Sequence, residues 1–180
     1  MMKPFLYIIL SLLLLNSCGK KEETKLPRFE VKPEVPAQIL KDHNYFLDKL
    51  KPITAYEDST GITARELYEV MEFHFREEED YVLPPLGILP LLAKGELPEE
   101  SGKIILLTQK FRENREAILA EHQMIEHFLG KMMAAARSEN HPELSGYEEE
   151  LEKHAELEED ILFPAVLLIG DYLELRKKSL

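Results

Sequence analysis

The stretch His74-Phe75-Arg76-Glu77-Glu78-Glu79-Asp80-Tyr81-Val82-Leu83-Pro84 returns, little changed, as His154-Ala155-Glu156-Leu157-Glu158-Glu159-Asp160-Ile161-Leu162-Phe163-Pro164, 80 residues later. His, two adjacent Glu, Asp and Pro keep their offsets, with apolar residues between Asp and Pro. On a helix, a His and the Glu four residues after it lie one turn apart on one face. Each copy can therefore aim an imidazole and a carboxylate at one point. Two such pairs facing each other inside a helical bundle form a metal site.

Apolar residues around the repeat recur with helical period. Ile39, Leu40, His43, Phe46, Leu47 and Leu50 form one stripe, with Pro36 suited to its start and Pro52 bending or ending it. Thr63-Ala64-Arg65-Glu66 has the capping-box form and is expected to open a second helix, whose stripe runs through Leu67, Val70, Met71, His74, Glu78, Tyr81 and Val82 to Pro84-Pro85. Residues 84–100 are rich in Pro and Gly around a short apolar piece, Ile88 to Leu92. A long third helix is expected from about Ser101 to Arg137, through Ile104, Phe111, Ile118, His122, Ile125 and Leu129. A fourth is expected from about Glu143, with Leu151, His154, Leu157, Glu158, Ile161 and Leu162 in line. Pro164 is expected to kink or end it before an apolar C-terminal piece. No stretch reads as a strand.

The two halves match beyond the repeat. His43 precedes His74 by 31 residues and His122 precedes His154 by 32, and an acid stands just before each first His (Asp42, Glu121). Each half is an αα-hairpin with one His on its first helix and His-x3-Glu on its second. The expected fold is all-α: an up-down four-helix bundle of two pseudo-symmetric αα-hairpins with a short C-terminal helix.

Four histidines (His43, His74, His122, His154) and two glutamates (Glu78, Glu158) thus lie in apolar stripes. An ionised carboxylate buried without a partner is very costly, and nothing basic on these stripes can pair with both. A divalent cation solves this, binding imidazoles neutral and carboxylates charged. Six ligands exceed one four-coordinate zinc site and suit two ions, each Glu able to bridge. Two divalent ions carry more charge than two glutamates neutralise, and a bridging hydroxo or oxo group takes up part of the rest. Nitrogen and oxygen donors without sulfur fit iron, and also zinc or manganese. Glu79 and Glu159 are candidates to hold imidazoles from behind; Asp80 and Asp160 either do the same or face water. His127, about 140° round the helix from His122, is expected to face elsewhere, and His141 to lie in a turn. Met124, Met132 and Met133 read as core filler.

The N-terminus reads differently. Lys3 precedes an apolar run, Phe5 to Leu15, then Asn16, Ser17 and Cys18. That is a secretory signal pattern, too short to span a bilayer. Leu15-Asn16-Ser17-Cys18 resembles the lipobox of bacterial lipoproteins. The resemblance implies cleavage after residue 17, lipidation of Cys18 and residence in the bacterial cell envelope, extracytoplasmic and tethered by residues 18–36. Cys18 is the single cysteine, so there is no disulfide framework and no thiolate site. The remaining 163 residues (180 minus 17) suffice for one domain, expected over 37–180. The formal charge of −12 argues against nucleic acid as a partner.

Over roughly residues 38–170, the first-helix His43, the two His-x3-Glu-Glu motifs, the third-helix His122 and Leu162-Phe163-Pro164 resemble the hemerythrin-like (HHE cation-binding) family. The resemblance implies a four-helix bundle around a non-haem di-iron centre that meets O2, NO or reactive oxygen species. His43, His74, His122 and His154 would be its terminal ligands, with Glu78 and Glu158 bridging. Oxygen-carrying members place a second His where this chain has Glu126, and an Asp where it has Glu159. Glu126 is therefore grouped with Glu79 and Glu159 as a candidate supporting carboxylate. The set of four His and two Glu is more similar to the di-iron proteins of iron–sulfur cluster repair and nitrosative stress. Those usually carry an N-terminal cysteine-motif domain, to which this resemblance does not extend. The expected function is a lipid-anchored di-iron protein for sensing, scavenging or stress protection. The alternatives are a metal-binding or delivery protein without gas chemistry, a di-iron peroxidase or oxidase on the same centre, and a plain helical bundle for partner binding.

Overall fold

The computed structural model describes residues 33–178. The signal segment, Cys18 and the tether up to residue 32 lie outside them. Among the described residues the chain is helical throughout, with no strand, and no helix is long and apolar enough to cross a membrane.

The first helix, α1 (Ala37–Leu50), starts behind Pro36, and a 3-10 turn (Ile53–Ala55) comes after Pro52. The second, α2 (Ser59–Glu77), begins one turn earlier than the capping box predicts. Asp58 caps it, accepting from the Gly61 N–H at 2.9 Å. Glu139, from the far end of another helix, takes the Ser59 and Thr60 N–H groups at 3.0 and 2.8 Å. Thr63 sits inside the helix, its hydroxyl donating back to the Ser59 carbonyl. The Asp58 cap is local and the Glu139 cap comes from 80 residues away, and only the second leaves no local signature.

The Pro- and Gly-rich segment holds a 3-10 turn (Pro84–Ile88) and a single helical turn, α3 (Leu89–Leu92). Then α4 runs unbroken over Ser101–Glu139, ending on Asn140 in the left-handed conformation (φ 62°). After a 3-10 turn (Pro142–Leu144), Gly146 at φ 82° leads into α5 (Tyr147–Leu157), later than the expected start near Glu143 because Pro142 and Gly146 hold the chain in turns. A sixteen-residue helix, α6 (Phe163–Lys178), completes the described chain.

Both copies of the opening motif depart from the α-helix at the same place. Glu78–Val82 and Glu158–Leu162 are π turns. The Leu83 N–H donates to the Glu78 carbonyl, and Phe163 to Glu158, each five residues back. One residue separates each turn from a proline, which cannot donate and whose ring would strike the carbonyl four residues back. In the second copy the widened turn absorbs Pro164, so helix resumes as α6 instead of ending. The extra residue rotates the downstream helix by about 100°. Ile161 (58 % exposed) therefore leaves the stripe predicted for it, while Phe163 and Val166 turn inward; Leu157, which precedes the widened turn, is exposed as well.

The core has two apolar clusters. One gathers Phe46, Leu50, Leu67, Met71, Phe75, Ile125, Leu129, Met132, Tyr147 and Leu151. The other gathers Ile39, Tyr81, Val82, Ile104, Phe111, Ile118, Phe163, Val166 and Ile169. Met132 and Met133 are core, as predicted, whereas Met124 lies on the outer face of α4 and is exposed. The clusters change over at one residue or pair on each long helical segment: at His43, at His74 and Glu78, at His122, and at His154 and Glu158. The polar residues thus form a layer between two apolar ones.

Candidate metal centre

All six predicted ligands are buried and brought together. Their Nε2 atoms converge on the two carboxylates. Glu158 lies 3.4 Å from His43, 3.5 Å from His122 and 3.1 Å from His154. Glu78 lies 3.4 Å from His74 and 3.5 Å from His43. The Nε2 atoms of His74 and His122 are 2.9 Å apart. Two donor groups result, sharing Glu158: His74, Glu78, His122 and Glu158 in one, His43, His154 and Glu158 in the other.

The outward nitrogens are held by carboxylates. Glu79 meets His43 Nδ1 at 2.9 Å, and Glu159 meets His122 Nδ1 at 2.7 Å, two of the contacts sequence symmetry suggested. Glu121 meets His74 Nδ1 at 2.9 Å, a contact the sequence reading does not predict. Its signal is its place directly before His122, which turns it about 100° away, toward the neighbouring helix. The matching acid in the first hairpin, Asp42, is one methylene shorter and accepts from Gln38 instead. Among the described residues, no carboxylate meets His154 Nδ1. A carboxylate on Nδ1 holds the ring proton there and leaves the Nε2 lone pair free to bind. Glu126 is exposed and makes no hydrogen bond to an imidazole among the described residues, and Asp80 and Asp160 are exposed too.

Phe75 stacks on His43, ring centroids 4.0 Å apart and 6° from parallel, and Phe163 covers His122 at 5.7 Å. Burial pushes the Glu78 carboxyl well above the usual carboxylate range, and the charge of Glu158 adds to this. Burial acts on Glu158 in the same direction, but contacts from His122, His154 and His43 outweigh it and hold Glu158 well below that range. Burial lowers His74 below its ordinary value against the pull of Glu121.

Three atoms are left over. Both Glu78 oxygens and His154 Nε2 are buried without a hydrogen-bond partner; Glu158 is near His154 but misaligned. Orphaned buried acceptors are rare. Here they lie among inward-facing imidazole nitrogens, the donor set that nitrogen- and oxygen-preferring divalent cations take. The residues present fit such ions.

A third cluster, Asp58, Glu139 and His141, has donor atoms close enough for a metal but is already committed. Asp58 and Glu143 hold the two His141 nitrogens at 2.8 and 2.9 Å, and Glu139 caps α2. It is a clasp between the start of α2 and the end of α4, and His141 lies in the turn predicted for it. His127 is exposed, its ring against Phe128.

A cleft of about 520 Å³ opens between α4 and α5 and reaches His74, His122, His154 and Glu158. His43 and Glu78 do not line it. No curated protein and no solved structure matches the chain. The profile of the hemerythrin HHE cation-binding domain matches residues 34–166. With a match over most of its length and a buried His and Glu layer that could hold metal, the chain belongs to the hemerythrin HHE cation-binding family.

Proposed function

We propose that this domain holds a dinuclear non-haem iron centre that binds O2, NO or reactive oxygen species, for sensing, scavenging or stress protection. We further propose that Cys18 is lipidated and anchors the domain to the bacterial envelope. The observation that carries the reading is Glu78: a fully buried carboxylate with both oxygens unpartnered, facing His43 and His74. His43, His74, His122 and His154, with Glu78 and Glu158, would hold the two ions, the imidazoles as neutral nitrogen donors and the carboxylates as anionic ones. The order in which the two apolar clusters alternate along α1, α2, α4 and α5 favours an up-and-down arrangement of these helices.

A dinuclear iron centre supplies Lewis acidity and two one-electron couples to a small diatomic ligand. The protein's own part is positional. Glu79, Glu121 and Glu159 keep three Nδ1 protons in place and so present three Nε2 lone pairs inward. Phe75 and Phe163 keep bulk water from His43 and His122. The cleft between α4 and α5 leaves one side reachable by a small molecule.

Metal analysis of residues 19–180 from iron-replete cells tests the reading, with ultraviolet–visible spectra in air and after anaerobic NO. Two irons per chain and a spectrum changed by either gas are expected. A colourless protein with two zinc ions would sink the iron reading and favour metal binding or delivery without gas chemistry.

A further inference from the structure

The cleft between α4 and α5 is chemically one-sided. Glu126 stands on its α4 wall and Glu152 and Glu156 on its α5 wall, with Glu159 and Asp160 at the rim, all five exposed. No lysine or arginine lines it. The nearest lysine on α5, Lys153, is paired with Glu149 at 2.6 Å. At its floor lies His154, 7 % exposed, whose Nε2 has no hydrogen-bond partner. Of the four inward imidazoles, only His154 lacks a carboxylate on Nδ1 among the described residues. Phe75, which also lines the cleft, is stacked on His43, which does not.

We propose that this cleft is the port through which divalent cations reach the buried centre: Glu126, Glu152 and Glu156 gather the ion and His154 is the first imidazole to receive it. The proposal rests on the metal-centre reading above. Acidic walls over a low-dielectric floor focus the field and raise local cation concentration, which speeds association by roughly 10- to 1000-fold. That gain falls as salt screens the walls. Of the three imidazoles that line the cleft, His154 is the one whose ring no carboxylate holds. The three glutamates are solvated and touch none of the six ligands, so neutralising them leaves the final donor set intact.

The experiment is stopped-flow loading of the metal-free protein with Co2+, followed by its visible absorption, at low and high ionic strength. Wild type is compared with the triple variant Glu126→Gln, Glu152→Gln, Glu156→Gln and with a control, Glu72→Gln, Glu99→Gln, Glu113→Gln, which removes equal charge from surface outside the cleft. The cleft variant is expected to load at least about tenfold more slowly at low salt, to lose most of the salt dependence, and to reach the same two ions per chain. The control is expected to load at close to the wild-type rate. Equal rates in wild type and cleft variant, or equal slowing in cleft variant and control, overturn the port while leaving the centre standing. Failure of every protein to take up Co2+ overturns the centre and the port together.

Discussion

Glu78 is expected to destabilise the metal-free protein, and Glu78→Met isolates this. The wild-type side chain is fully buried, its two oxygens are unpartnered, and burial pushes its carboxyl well above the usual carboxylate range. An unsatisfied buried polar group costs about 1–3 kcal/mol, and an apolar side chain of similar length removes that penalty. A gain of about 2 kcal/mol raises the melting temperature of a domain this size by about 4–8 °C. Metal reverses the order. An ion that binds only the folded state stabilises it by about 2.7 kcal/mol at a hundredfold excess over Kd, and the variant lacks an anionic donor shared by the centre. Calorimetry with chelator and then with excess Fe2+ under anaerobic conditions should show the variant melting higher without metal and shifting far less with it. Glu78→Gln, which keeps unpaired polar atoms, should lose the metal shift without the metal-free gain. A metal-free Glu78→Met that melts below wild type, or a metal shift as large as wild type, would refute the argument.

Glu121→Gln and Glu159→Gln, which remove the carboxylates behind His74 and His122, should each weaken metal binding by about 10- to 100-fold in competition titrations, while Glu126→Gln changes affinity little. Gly61→Ala should lower stability by about 1–3 kcal/mol in denaturant melts, because its Cβ would overlap the Tyr56 carbonyl, backbone that cannot give way. Asp58 and then Glu143 raise His141 above its ordinary value of 6.5, so its share of stability is present below that pH and lost as pH rises through the raised folded value. The gap in melting temperature between wild type and His141→Gln should therefore be larger at about pH 6 than at about pH 9; a constant gap counts against the clasp. Deleting Asp160 turns the five-residue Phe163-to-Glu158 bond into an ordinary four-residue one and keeps α6 in register. Circular dichroism should show a folded helical protein, while metal affinity falls because Glu159 no longer faces His122. Loss of the fold would show that the π turn is not an absorbed insertion.

The fold was legible wherever period alone decides a side chain's direction. Along α1 and α4 the stripes are uninterrupted, so His43, Phe46, Ile118, His122 and Ile125 all point where spacing puts them. Period holds through Tyr81 and Val82 after Glu78 but fails after Glu158. There the π turn adds a residue, and a stripe carried on by threes and fours places Ile161 inside when it is outside. The clue was present: an apolar run ending in Pro, six residues beyond a ligand Glu, twice. A proline there cannot continue a regular α turn without losing a bond. The start of α2 had a local clue of its own in Asp58, an N-cap side chain three residues before Gly61, whereas the cap that Glu139 adds from across the bundle left none.

The six inward residues were legible because burial and charge conflict within the sequence itself: carboxylates on apolar stripes need cations, and only imidazoles share those stripes. Their surroundings were legible only where the repeat is symmetric. Glu79 and Glu159 stand at equal offsets and do equal work on His43 and His122. Glu121 and Asp42 also stand at equal offsets, but one methylene separates them. Glu121 spans to His74, whereas Asp42 turns back to Gln38 on its own helix. That difference leaves His154 without the support the other three imidazoles have, on the side where the cleft opens. The two halves share a pattern, yet the centre they enclose is unequal: His43 is sealed beneath Phe75, and His154 faces the acidic opening. A symmetric sequence thus builds an unequal site, in which the imidazole that no carboxylate holds lies at the acidic cleft.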